Sequence, residues 1–322
     1  MLDTNVGPVG RAAPAAEEVQ RFHEWFLNCA QRLDGTSVGA LFVPERHGRS
    51  DCFSPAPLEL LAALAGVTSH AALGTYVLQP PLYPPVALLE RLAVIDHLSA
   101  GRLVCGFGAG FHPLYFAVHG EEMSRRGAAL DRFLDLMDEG WGSGSVELDG
   151  EEVYVLPPAH RPPVWLGGTS RAAVRRAARR ADAFGIGFTD ARVGGLIDDY
   201  RRACEEAGRE PRLVLIQSAW VRTGIDAEAE MVSELGETLG PEMTLYQTHG
   251  QLEARGTITA ERMARYMYVG EPQPVVEHIR ADVERWGIDE VILRVHIGIP
   301  PREAVTECLD LIADEVAPGL AA

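Results

Sequence analysis

Apolar positions along this chain follow two alternating rhythms. From Glu17 to Leu33 they recur at helical spacing, with Val19, Phe22, Phe26, Cys29 and Leu33 on one face. Asp34-Gly35 ends that run, and Val38-Gly39-Ala40-Leu41-Phe42-Val43 follows without a polar break. An unbroken apolar run suits a parallel strand covered on both faces. The exchange then repeats. A helix over about 56–65 gives way to a strand within His70 to Leu78. Val86, Leu89, Leu92, Ala93 and Ile95 mark the next helix, closed at Gly101, before the strand Leu103–Phe107. A helix from Arg125 to Trp141 leads through an irregular, proline-rich stretch to a strand at Val164–Leu166. Helix and strand alternate again at 171–183 and 184–188, at 194–207 and 212–220, and at 274–286 and 291–295, with a last helix over 302–316. A short strand within Leu2–Val6 would start the series, although residues 1–16 are poor in pattern.

Eight strand segments alternating with helices, in one composition regime, predict a single-domain (β/α)8 TIM barrel spanning 1–322. A doubly wound sheet is the alternative. Residues 224–272 exceed what a crossover needs and read as an insertion after strand seven.

Composition narrows the function. A chain of 322 residues, 47% hydrophobic, can bury a sizeable core. Its net charge of -17 argues against nucleic acid or an anionic membrane surface as partner. All 29 basic residues are arginine, which excludes Schiff-base chemistry and a phosphate-loop lysine. The five cysteines, Cys29, Cys52, Cys105, Cys204 and Cys308, are scattered and contain no CxxC pair. They predict a reduced, cytoplasmic protein, without a disulfide framework or a zinc site. No apolar run reaches transmembrane length, and no signal-peptide pattern opens the chain.

In a barrel of this kind the chemistry sits at the C-terminal ends of the strands. Those ends carry Glu45, Arg46 and His47; Gln79; Gly108, Ala109, Gly110 and His112; Gly167, Gly168, Thr169 and Ser170; Thr189 and Asp190; Trp220 and Arg222; Arg294 and His296. The set is rich in glycine, arginine and histidine, and has no carboxylate cluster or metal-ligand spacing. A planar organic cofactor with an anionic tail is the simplest guest. Gly167-Gly168-Thr169-Ser170 precedes a helix, whose free amides and dipole favour phosphate. A capped helix after a tight turn gives the same pattern. His47 reads as a general base or flavin-ring partner, or else as a loop histidine bonded to backbone. Arg46 reads as an anion fork or as a surface partner of Glu45. His112 faces the cofactor or caps the next turn. Arginines 171, 175, 176, 179 and 180 read as a solvated helix face, with Arg171 alone near the anion end. Cys105 reads as a small buried apolar residue.

LGTYV at 73–77, RLAVIDHLSAGRL at 91–103, GFGAGFHPLYFAVHG at 106–120 and PPVWLGGTSRAA at 162–173 together resemble the bacterial luciferase-like, flavin-dependent monooxygenase superfamily. The segment YVGEPQPVVEHIRADVERWGIDEVILRV from Tyr268 resembles its closing part. PERH at 44–47 and GFHP at 110–113 resemble a natural-product-biosynthesis branch. The resemblance implies a homodimer that takes reduced FMN from a separate flavin reductase and uses molecular oxygen to oxygenate a small hydrophobic or natural-product-like substrate. A sister branch transfers hydride with a reduced deazaflavin cofactor, without oxygen. A third possibility is a non-catalytic flavin-binding or partner subunit. Residue by residue, the resemblance lays Glu45-Arg46-His47 on an acidic–His–His site, with Arg46 in place of the first histidine. It lays Tyr76-Val77 on a non-prolyl cis peptide under the flavin ring. Ala109 stands where some members have an arginine for the flavin phosphate, which leaves that role to Gly110, Thr169, Ser170 or an arginine from elsewhere.

Overall fold

A computed structural model describes residues 1–4, 6, 13–51, 54–187, 192–236 and 266–321. Eight parallel strands form a nearly closed barrel with helices between them. They are β1 (Leu2–Asp3), β2 (Ala40–Val43), β3 (Ala72–Thr75), β4 (Leu103–Phe107), β7 (Val164–Gly167), β8 (Ala183–Gly187), β9 (Leu213–Val221) and β11 (Glu290–His296). Pairing runs β1-β11-β9-β8-β7-β4-β3-β2, so β1 and β2 stand at the two ends of the path. The short first strand is real, with Leu2 opposite Val295 and Asp3 opposite His296.

The alternation along each strand explains the two layers of packing. Outward residues such as Leu41, Leu73, Leu103, Cys105, Val164 and Phe184 join the helices in one large core. Inward residues Phe42, Val104, Trp165, Ala183, Val214 and Ile292 fill the barrel itself, with Phe42 stacked on Trp165 at 5.2 Å between ring centres. Tyr76 and Ile216 lie against this plug and form its upper surface. Cys29, Cys105, Cys204 and Cys308 are buried free thiols, and burial pushes the Cys308 thiol up to about 12. Cys52 lies outside the described residues.

Three local features differ from the sequence reading. The stretch after Trp141 holds a hairpin, β5 (Ser145–Leu148) with β6 (Glu151–Tyr154), turned by Asp149 at φ 52° and Gly150 at φ 83°. Asp-Gly is the sequence a tight two-residue turn asks for, because both positions need positive φ. A short helix, Pro113–His119, follows β4. The last helix is interrupted, with an α-helix Arg302–Leu311, a π-helical turn Ile312–Val316 and a final turn Ala317–Ala321. Of the expected insertion, a helix over 227–236 and strand β10 (Tyr268–Gly270) are described, and 237–265 lies outside the described residues. β9 serves two partners: Val214 to Ser218 pair with β11, and Ala219 to Val221 pair with β10.

Asp34 ties the first helix to the start of β3. Its carboxylate accepts from the backbone amides of Ser69 at 2.8 Å, His70 at 3.0 Å and Ala71 at 2.8 Å. Burial works against the charged form, but these amides outweigh it and hold the carboxyl well below the usual range. A depressed carboxylate pKa adds stability above the unfolded value, and that stability is lost as pH falls through the folded one. Asp34→Asn is therefore expected to cost about 1–2 kcal/mol near neutrality. The deficit against wild type should shrink below about pH 4. Urea unfolding across pH checks both; a deficit independent of pH would refute the assignment.

Candidate active site

A cavity of about 610 Å³ opens at the C-terminal ends of the strands. Its wall includes Arg46 after β2, Tyr76, Val77 and Gln79 after β3, Gly108 to Phe111 after β4, and Gly167 to Ser170 after β7. Ile216 and Ser218 of β9 and Arg294 of β11 continue it, and Ser124, Arg126, Gly127, Leu130 and Arg176 complete one side.

The floor is made by Tyr76. The peptide bond from Tyr76 to Val77 is cis, as the resemblance implies. The tyrosine ring crosses the barrel interior in a slot that only glycines leave open. A Cβ at Gly185 would fall 1.4 Å from Tyr76 Oη, and one at Gly167 would fall 3.0 Å from it. A Cβ at Gly106 would meet the ring edge at 3.2 Å. The Tyr76 hydroxyl is buried and has no hydrogen-bond partner among the described residues, and burial raises its pKa, so it stays protonated. Gln79 is 2% exposed, and its Oε1 also lacks a partner among the described residues. That oxygen lies 2.8 Å from where a Cβ on Gly110 would stand. Two buried polar atoms left unsatisfied by the described residues are what a ligand-binding wall shows.

Glu45 and His47 take a different place from Arg46. Neither is among the residues that line the cavity. Glu45 is fully buried, and its carboxylate accepts from His47 Nε2 at 3.0 Å, from the Gln79 amide at 2.6 Å and from Tyr83 Oη. Burial, followed by the charge on Glu45, raises the Tyr83 pKa, so its phenol remains a donor. His47 packs edge-on against His119 at 4.3 Å and Tyr115 at 5.7 Å between ring centres. Successive residues after β2 point to opposite sides, so Arg46 meets the cavity while its neighbours lock the β2 and β3 loops together from behind. Arg46 donates to the Glu45 carbonyl at 2.8 Å and sits over the Phe111 ring at 5.6 Å. His112 caps the helix Pro113–His119, with Nδ1 accepting from Leu114 N at 3.1 Å, and is not on the cavity wall.

The cavity wall at the start of the helix Arg171–Arg180 includes Arg176, whose surroundings differ from the sequence reading. Ser170 is the N-cap of the helix Arg171–Arg180, and its Oγ accepts from Ala173 N at 3.2 Å. Thr169 and Ser170 line the cavity together with Arg126 and Arg176. The arginine face is divided: Arg171, Arg175 and Arg179 are exposed as expected, whereas Arg176 and Arg180 meet a neighbouring helix. Arg176 is 12% exposed and grips Asp131 at 2.5 and 2.9 Å, and Arg180 bonds Asp135 at 2.6 Å and Asp138 at 2.9 Å. The hydrogen bond from Arg176 lowers the Asp131 pKa. Arg171, the arginine expected here, is 85% exposed and leans toward Asp199 at 3.8 Å. Helical spacing explains the correction. Positions 176 and 180 share the face that meets the acidic stripe of the helix Arg126–Ser143, whereas 171 does not.

Other strand-end candidates lie away from the cavity. Trp220 donates to Glu230 at 2.9 Å, and Arg222 pairs with Glu230 at 2.7 Å and Glu307 at 3.2 Å, which anchors the helix over 227–236. His296 is buried with Nδ1 3.1 Å from Asp3 Oδ2, while Arg294 reaches the wall. Thr189 and Asp190 lie outside the described residues. Among the described residues no cluster of His, Cys, Asp or Glu could hold a metal ion, and no helix is long and apolar enough to cross a membrane.

Residues 8–290 match the luciferase-like monooxygenase family. The chain belongs to that family, whose members here are flavin- or F420-dependent enzymes. It is 22% identical to the oxygenase component of flavin-dependent trigonelline monooxygenase from Acinetobacter baylyi, over 93% of this chain and 90% of that one. It is 30% identical to an F420-dependent glucose-6-phosphate dehydrogenase from Nakamurella multipartita, over 47% of each. The oxygenating constituent of 3,6-diketocamphane monooxygenase from Pseudomonas putida, solved with FMN, shares the fold with a TM-score of 0.76 at 18% identity, over 98% of both chains.

Proposed function

We propose that this protein is an FMN-dependent monooxygenase that takes reduced flavin from a separate reductase and inserts one atom of molecular oxygen into a small organic substrate. The observation that carries the reading is the anion end of the cavity. Arg126, Arg176, Thr169 and Ser170 gather at a helix start, at the rim of a wall lined by glycines. A single terminal phosphate fits there, since two guanidinium groups and free helix amides all favour it. Gly108, Gly110, Gly167 and Gly187 line the same wall and would hold the flat ring. A Cβ added at Gly187 would meet nothing within 4 Å, so this edge is open to a planar ligand.

Reduced flavin, when bound, would supply the electrons that activate oxygen. The chain's own residues supply position and shielding. Tyr76 and the plug beneath it keep water from the underside, and Val77, Phe111, Leu130 and Ile216 give the wall apolar cover. Glu45 and His47 enter as positioning residues that fix Gln79 and Arg46. A companion reductase is supported by the Acinetobacter relative, which is named as the oxygenase component of its system. A second reading, hydride transfer with F420, is favoured by the Nakamurella relative and uses the same ring-and-phosphate plan.

An anaerobic titration separates the two. Reduced FMN should bind at least about tenfold more tightly than reduced F420, one tenfold step being about 1.4 kcal/mol. Admission of oxygen should then give product only with FMN. Tighter F420 binding would move the assignment to the hydride-transfer branch.

A further inference from the structure

The side chains on the cavity wall are rich in donors and poor in acceptors. Its arginines can only donate, and its serine, threonine and tyrosine hydroxyls turn to donate or to accept. Among the described lining residues there is no aspartate, glutamate, histidine or asparagine. The carboxamide of Gln79 therefore holds the one fixed side-chain acceptor of that set. Gln79 is 2% exposed, and its Oε1 is buried with no partner among the described residues.

That carboxamide is held one way round. The Gln79 backbone amide donates to Glu45 Oε2 at 2.6 Å, which fixes where the side chain starts. Nε2 is turned to the Glu45 carbonyl oxygen at 3.5 Å. Flipping the amide would set Oε1 against that carbonyl, oxygen to oxygen, with no proton between them. Oε1 instead stands beside Gly110, and both residues line the wall. A Cβ on Gly110 would fall 2.8 Å from Oε1 and 2.8 Å from Phe116 Cζ, so glycine keeps this point clear. The terminal torsion of glutamine is soft, and a small turn about it carries Oε1 to a ligand donor laid along Gly110.

We propose that Gln79 reads position 5 of the flavin ring: its Oε1 accepts from N5–H, and the site thereby prefers reduced flavin to oxidised flavin and to a deazaflavin. The proposal rests on the flavin reading of the cavity. Two-electron reduction places a hydrogen on N5, whereas N5 of the oxidised ring bears a lone pair. A reduced deazaflavin carries a CH2 group at the same position. A fixed acceptor gains a hydrogen bond from the first, meets lone pair with lone pair in the second, and gains nothing from the third. The preference suits a protein supplied with reduced flavin from outside, because oxidised flavin competes for the same cavity. Glu45 then acts as a positioning residue, through the backbone of Gln79.

The test is Gln79→Met, which keeps the length of the side chain and removes both polar atoms. The backbone bond to Glu45 survives the change, and Gln79→Leu serves in its place if the methionine variant does not fold. Anaerobic titrations of the full chain compare reduced FMN, oxidised FMN and reduced 5-deaza-FMN. Gln79→Met should weaken reduced FMN about tenfold, the scale of one hydrogen bond in a buried site. Oxidised FMN should bind no more weakly than to wild type, and reduced 5-deaza-FMN should stay within about twofold. The midpoint potential of bound FMN should fall by about 30 mV, which is a tenfold step for a two-electron couple. Equal weakening of both redox states, or unchanged affinity for reduced FMN, overturns the proposal. Wild-type protein that binds neither state of FMN removes the flavin reading and this proposal together. Wild-type protein that binds FMN, with a redox preference untouched by Gln79→Met, removes this proposal alone.

Discussion

Arg126→Ala is expected to weaken reduced-FMN binding about 10- to 100-fold, the loss of one charge-assisted contact worth roughly 1.5–3 kcal/mol. Riboflavin, which has the ring but no phosphate, should bind the variant as it binds wild type. The contrast isolates the phosphate from the ring. Arg126 suits this test better than Arg176. Arg126 lines the cavity and donates to the Met123 carbonyl at 3.0 Å, a bond a water molecule can replace. Arg176 also holds Asp131 through two hydrogen bonds, so its removal would loosen the packing of two helices. Anaerobic titration of both ligands against both proteins gives the result. An equal loss for riboflavin would mean that Arg126 supports the fold of the rim and makes no contact with phosphate.

The barrel was legible because its strands are buried on both faces. Runs such as Leu41–Val43 and Leu103–Phe107 have no solvent face to interrupt them, and the helices between them keep a clear period. The hairpin at Ser145–Tyr154 was obscured by the opposite property. Its strands are largely solvent-facing and carry Ser145, Glu147, Glu151 and Glu152, so no apolar run announces them, and only Asp149-Gly150 marked the turn. A resemblance to a family placed the cis bond at Tyr76-Val77, which local pattern alone would not have located.

Within the site, backbone-defined positions were easier to find than side-chain directions. Glycines at the ends of β4 and β7 lie on the wall because a strand end fixes where its backbone goes. Glu45, Arg46 and His47 are adjacent in sequence, yet only Arg46 faces the cavity. Which of three neighbours turns inward depends on the loop that follows the strand, and loops carry no period to read. Arg126 and Arg176 were missed for a related reason. Both sit on helices, and both were counted with other arginines or left unremarked, because the acidic stripe that orients Arg176 lies 45 residues away in sequence. A helical-wheel match between Asp131, Asp135 and Asp138 and arginines 176 and 180 was the available signal.

Gly185→Ala should abolish saturable flavin binding. The added Cβ would stand 1.4 Å from Tyr76 Oη and 2.3 Å from Cζ, far inside contact distance. The strand cannot yield, since Gly185 is paired on both sides, opposite Gly167 of β7 and Val214 of β9. The ring must therefore leave its slot, and the cavity above the plug is the open direction. There it occupies the space a planar ligand needs. Overpacking of this kind costs about 1–3 kcal/mol of stability as well. Tyr76→Ala supplies the control, because it removes the obstacle. In that background Gly185→Ala should cost less than about 0.5 kcal/mol, leaving an interaction energy of about 1 kcal/mol or more between the two positions. Urea unfolding of the four proteins closes the cycle. If Gly185→Ala costs the same with and without the tyrosine, then the floor of the cavity is set by something other than Tyr76, and the wall described around it must be redrawn.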